Sequence, residues 1–172
     1  IVGGGIHKTR PEFDKYTSLV RNIAPGCSMV FDKSLRDLVI KGNPERIIAH
    51  DFWIFQLAAL FGTVCYDFEP SMLYRQHANN QIGQKTSRLD IWKRRFKSMN
   101  SSEKNAREAQ AKELLRCFGN IMPDDSRRVV EMVADYRLNL IKRFRLLFEP
   151  RVKMNTFSNS FFLKLHILFS TL

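Results

Sequence analysis

The rhythm of apolar positions changes several times along the chain. In "DFWIFQLAALF" (51–61), Phe52, Trp53, Ile54, Phe55, Leu57, Leu60 and Phe61 fall almost all round a helical cylinder. That pattern predicts a buried helix over 51–61, with Gly62 as its stop. Upstream, residues 12–22 read as a short helix or turn, and Pro25-Gly26 breaks the chain. "CSMVFD" (27–32) has the length and apolar content of a buried strand, with Asp32 placed to cap a short helix over 33–40. "KGNPE" (41–45) reads as a loop, "TVCYDF" (63–68) as a second strand, and "MLYRQH" (72–77) as an extended piece leading into a polar loop. This first part is therefore expected to be mixed, with strands and helices alternating.

Beyond residue 87 only the helical period remains. Ala106, Ala111, Leu114, Leu115 and Phe118 share one side of a helix expected over 102–118, capped by Ser101 or Ser102 and stopped by Gly119. Pro123-Asp124-Asp125 then opens what reads as one long helix to about Phe148, with a stripe of Val129, Val133, Tyr136, Leu140, Phe144 and Leu147. "SFFLKLHILFSTL" (160–172) fits one more amphipathic helix.

Composition refines this. A hydrophobic share of 44% with 26% charged residues excludes wholesale disorder. Cys27, Cys65 and Cys117 are scattered without a C-x-x-C pair, which argues against a disulfide framework or zinc site and fits a reducing compartment. No apolar stretch reaches the roughly 18–20 residues needed to span a bilayer. Ile1 in place of Met, with no signal-peptide pattern, points to a cut end. The net charge of +11 is uneven: residues 1–83 carry 9 basic and 8 acidic side chains, whereas 84–153 carry 18 and 9. A neutral first half joined to a basic second half suggests two jobs, the basic part facing phosphate-bearing substrates, nucleic acid or anionic lipid.

Three places hold candidate chemistry. "IVGGG" at the start lacks the G-x-G-x-x-G spacing and a preceding strand, and reads as a flexible end. Asp51, at the mouth of the apolar helix, suits either an N-cap or a general base, since the positive end of the helix dipole favours a carboxylate and the apolar helix behind fixes its position. His50 beside it is open to three roles: neighbour to the cap, hydrogen-bond partner to a substrate, or plain surface histidine. "YRQHANN" (74–80) gathers an Arg, a His and two Asn, a set that can hold a diphosphate or form an ordinary polar loop. The aromatics of 84–153 lie mostly on the apolar stripes, so a nucleic-acid stacking platform is not favoured.

"NIAPGCSMVFDKSL" (22–35), "AHDFWIFQLAALFGTVCYDFEPSMLYRQHANNQIG" (49–83) and the basic helical tail, in that order, resemble the C-terminal half of bacterial family 2 glycosyltransferases. The likeness is to rhamnosyltransferase-like members of the GT-A fold, which build cell-surface polysaccharide. It covers residues 16–83 well and the tail loosely. The resemblance implies an α/β fold class, with 1–83 as the acceptor-side half of a GT-A domain and 84–172 as a mostly α-helical basic extension. It implies that Asp51 is the general base of an inverting transfer, with His50 beside it. Gly26 and Cys27 match the turn and strand that line the acceptor side, and Trp53 would shape the acceptor pocket. Tyr74, Arg75, His77 and Asn80 match the surroundings of the donor diphosphate, with His77 near a divalent metal, Mg or Mn. The departure is the metal motif: no Asp-x-Asp occurs in the 172 residues.

The resulting expectation is the acceptor-binding and base-bearing portion of a glycosyltransferase, moving a sugar from a nucleotide-sugar donor to a lipid-linked or cell-surface glycan, its donor-binding half lying elsewhere and this chain alone inactive. It would be cytoplasmic, with peripheral contact to the anionic inner face of the membrane through the basic tail and "FFLKLHILF". The rival reading is a non-catalytic basic binding module or partner subunit.

Overall fold

The 51–61 expectation survives almost to the residue. In the computed structural model, which describes residues 14–67, 69, 105–154 and 156–172, helix α2 spans His50–Phe61. Phe52, Trp53, Phe55, Leu57 and Leu60 are buried, and the Gly62 N–H closes the helix on the Ala58 carbonyl at 3.0 Å. The preceding helix α1, Lys33–Gly42, starts where the sequence places it, because the Asp32 carboxylate accepts the Leu35 N–H at 2.8 Å. Its end turns on Asn43 in the left-handed region (φ 42°), a conformation Asn tolerates better than most residues.

The strands do not form, and the α/β expectation fails here. Among the described residues there are six α-helices and no strand. Gly26–Ser28 closes into a single 3-10 turn, with the Ser28 hydroxyl donating to the Pro25 carbonyl at 2.8 Å. After it the chain is extended but unpaired, and it leaves Val30 and Phe31 on the surface. Residues 63–67 likewise form no ladder. A strand exists only by exchanging backbone hydrogen bonds with a neighbour, and apolar content over six residues does not supply one.

Further on, α3 spans Ala106–Phe118 and α4 spans Asp124–Asp135. The residue preceding α3 is Asn105, while the caps expected at Ser101 or Ser102 lie outside the described residues. The long helix to Phe148 is interrupted: α5 begins anew at Leu140–Leu147, because the Asn139 side chain accepts the Lys142 N–H at 2.8 Å and caps a second start. The stripe divides with it. Val129, Val133 and Tyr136 are fully buried, whereas Leu140 and Phe144 face solvent. Helix α6, Phe157–Leu168, is capped by Thr156 and turns Phe162, Leu163 and Ile167 inward.

One hydrophobic core joins these elements. Tyr16, Leu19 and Val20 from the 3-10 turn Thr17–Leu19 and its flanks meet Trp53, Leu57 and Leu60 of α2. The same cluster takes Leu114 and Phe118 of α3, Val129, Val130 and Val133 of α4, Leu146 of α5 and Ile167 of α6. Helix α1 packs on α2, α3 on α4, and α5 on both α4 and α6. Tyr136 carries the end of the chain into this core: its hydroxyl accepts the Leu172 N–H at 3.0 Å. Among the described residues no helix is long and apolar enough to cross a membrane.

Candidate active site

Helix α2 starts one residue earlier than the sequence predicts, and that changes what Asp51 does. Ala49 is the N-cap, extended and without a capping side chain; His50 is the first helical residue and Asp51 the second. The Asp51 Oδ1 accepts the Phe52 N–H at 2.7 Å, one of the first-turn donors that no carbonyl of the helix can reach. Asp51 is therefore not the N-cap, although it still lies in the first turn, at the positive end of the helix. It is half-buried, and His50 is exposed beside it.

The turn at Gly26 meets this end of the helix. A Cβ at position 26 would stand 2.7 Å from His50 Nε2 and 3.4 Å from the Asp51 Cβ. The nearer contact is the end of the exposed His50 side chain, and the Asp51 Cβ stands at van der Waals distance, so the turn and this end of α2 are direct neighbours. Cys27 follows on the same turn, exposed and unpaired as a free thiol. Gly26, Cys27, His50 and Asp51, more than twenty residues apart in sequence, thus share one locality. Trp53 does not join them at the surface. It is 1% exposed, stacked at a tilt on Phe118 with ring centroids 6.2 Å apart, and its indole N–H has no partner among the described residues. An acceptor-lining role for Trp53 conflicts with that burial; it anchors α2 in the core instead. Tyr74, Arg75, His77 and Asn80 lie outside the described residues. Among the described residues no group of three or more His, Cys, Asp and Glu could hold a metal ion.

Behind the site, α3 fixes the segment that leads into α2. The Gln110 Oε1 accepts the Ile48 N–H at 2.6 Å, and its amide donates to the Gln56 Oε1 at 2.6 Å. Gln56 in turn donates to the Ser18 carbonyl at 3.0 Å. One turn further along α3, the Glu113 Oε1 accepts the Glu45 N–H at 2.7 Å, while Arg116 bridges Glu113 and the Asn43 carbonyl. Arg116 holds the Glu113 carboxyl below its usual range, and the Glu45 N–H adds to that. Buried amides and carboxylates of this kind are retained only when each polar atom is matched, and here the matches tie residues 43–48 to α3. Sequence reasoning missed Gln110 and Glu113, which look like ordinary solvated positions of an amphipathic helix. Gln56 carried a usable signal: a lone amide inside an apolar helix needs a buried partner.

No family model matches the chain, and no solved structure matches it. Over an alignment 77 residues long that covers 41% of the chain, the sequence is 35% identical to the dTDP-rhamnosyl transferase RfbG of Shigella flexneri. That stretch covers 27% of RfbG, so the chain spans about a quarter of this relative's length. The similarity links the chain to a glycosyltransferase and goes no finer.

Proposed function

We propose that this chain is the acceptor-side portion of an inverting glycosyltransferase of the family 2 type, with Asp51 as its general base. The observation that carries the proposal is the seating of Gly26 directly against His50 and Asp51, which makes a glycine turn and a helix-borne carboxylate into one wall. The 35% identity to a rhamnosyl transferase supports the reaction class. The donor is proposed to be a nucleoside-diphosphate sugar, and the acceptor a hydroxyl of a lipid-linked or cell-surface glycan.

In the proposed reaction the acceptor hydroxyl gives its proton to the Asp51 carboxylate as its oxygen attacks the anomeric carbon. The bond from that carbon to the diphosphate oxygen breaks, the anomeric configuration inverts, and the nucleoside diphosphate leaves with the bonding electrons. Asp51 suits the first step. One carboxylate oxygen is held by the Phe52 N–H, and the other accepts no hydrogen bond among the described residues. Departure of the diphosphate needs positive charge. The proposal assigns that to Arg75 and His77 with a divalent cation, and the rest of the nucleotide site to residues beyond these 172, since no Asp-x-Asp is present.

The test is steady-state kinetics of the enzyme with its donor-binding portion present. Asp51→Asn should lower kcat by about 10²–10⁴-fold with KM for the acceptor nearly unchanged. His50→Ala should act chiefly on KM, as expected of a group that contacts the acceptor without taking its proton. Equal, small effects of both substitutions would remove the base assignment.

A further inference from the structure

Helix α5 is amphipathic the wrong way round for a core helix. At about 100° per residue, Leu140, Phe144, Phe148 and Ile141 fall within one face, and Leu146, its one fully buried residue, lies roughly opposite. Together with Leu138 just before the helix, these large side chains are between 47 and 76% exposed. Phe144 and Phe148 stack on each other with centroids 6.5 Å apart, forming a flat apolar plate in solvent. Helix α6 turns Phe162, Leu163 and Ile167 into the core and leaves Phe161, Leu168 and the following Phe169 between 42 and 59% exposed. That segment is thus partly committed to the core, whereas α5 keeps a whole apolar face in solvent.

The charge around that surface is one-sided. From Tyr136 to Phe148 there are four basic residues and no acidic one. Arg137 is paired with Glu108 at 3.2 Å and Lys142 with Asp135 at 2.7 Å. Arg143 and Arg145 have no acidic partner among the described residues; Arg145 is exposed, whereas Arg143 is half-buried, its Nε shielded from solvent and its Nη1 donating to the Leu168 carbonyl at 3.4 Å. On the helical projection Arg145 borders the apolar face on one side and Arg143 stands beyond its other edge. An exposed apolar face with an unneutralised cation on either side is the arrangement that seats a helix in the plane of an anionic lipid surface, the cations meeting headgroups and the apolar side chains passing beneath them.

We infer that α5 is a lipid-docking element that lays Leu140, Ile141, Phe144 and Phe148 into an anionic membrane surface, with Arg143 and Arg145 as headgroup contacts. A second copy of the chain fits this face less well. A two-fold pairing through it would bring Arg143 and Arg145 of two copies together. The inference is independent of the role proposed for Asp51, because it can be read from binding alone.

The experiment is co-sedimentation of the chain with vesicles of phosphatidylcholine alone and with about 25% phosphatidylglycerol, at low and high salt. The expected result is at least about tenfold stronger partitioning onto the anionic vesicles, weakening as salt rises. The double substitution Ile141→Asp with Phe144→Asp should abolish it, and Arg145→Glu should weaken it at low salt. Phe161→Asp, on the exposed side of α6, should leave it unchanged, and circular dichroism should show all variants folded. Absence of binding to either vesicle would overturn the inference, as would a double variant that binds like the parent. So would a dimer in solution that the double variant splits, since the face would then be a protein interface.

Discussion

Single residues carry most of the geometry around the candidate site, and two glycines show how differently they do so. Gly26 permits a backbone approach beside exposed His50, whose ring can move aside. Gly42, the last residue of α1, backs onto Phe118: a Cβ there would stand 2.5 Å from the ring's Cζ. Phe118 is fully buried between Trp53 and Phe61, so it has nowhere to go. Gly42→Ala should gain about 1 kcal/mol of helix propensity and lose about 1–3 kcal/mol to overpacking. Overpacking wins, and chemical denaturation should show a net loss; a stabilised variant would contradict the packing. Gly26 and Asp51 were legible in the sequence as a break and an acid before an apolar run. Their mutual contact was not, because it depends on where the chain between them turns.

At the scale of elements, legibility followed the length of the apolar pattern and the presence of a cap. Helices α1 and α2 could be read to within two residues because Asp32 and Gly62 mark their ends. The run from Asp124 to Phe148 kept a helical period throughout, so the break before α5 was hidden; only Asn139 betrays it, and an Asn inside a periodic stretch is also compatible with an unbroken helix. The expected strands at 27–32 and 63–68 failed for the opposite reason, being too short for their period to decide between extended and paired. The clasp between α3 and residues 43–48 makes its own prediction. Gln110→Ala leaves the buried Gln56 Oε1 without its donor and releases the N–H of the exposed Ile48, so stability should fall by about 1–3 kcal/mol, chiefly from the stranded Gln56 oxygen. Hydrogen exchange at Ile48 should speed up with it. A loss under about 0.5 kcal/mol would mean that water replaces the clasp.

Across the whole molecule, the helices on either side of the undescribed middle segment share one core, so the acid end of α2 is held by groups far along the chain. That coupling has a pH signature. Because Arg116 depresses the Glu113 pKa from its ordinary 4.5, the carboxylate contributes its full stability above that value and loses it as pH falls through the depressed one. His166, half-buried and pushed below 6.5 by desolvation, also costs stability on acidification, but equally in the parent and in Glu113→Gln. The stability difference between these two proteins should therefore be largest near neutrality and shrink as pH falls below 4.5; a gap independent of pH would remove the Arg116–Glu113 pair as its source. The α/β expectation rested both on the strands read at 27–32 and 63–68 and on the resemblance, whereas beyond residue 87 the pattern is helical throughout. The most direct measurement is the single-turnover rate of sugar transfer by the Asp51→Asn enzyme, alongside its melting temperature. Replacing the half-buried Asp51 carboxylate in the first turn of α2 by an amide, whose oxygen can still accept the Phe52 N–H, should cost only about 0.3–1 kcal/mol. The expected result is an intact fold with transfer slowed by about 10²–10⁴-fold. A near-normal rate from a folded variant would show that Asp51 is not the base.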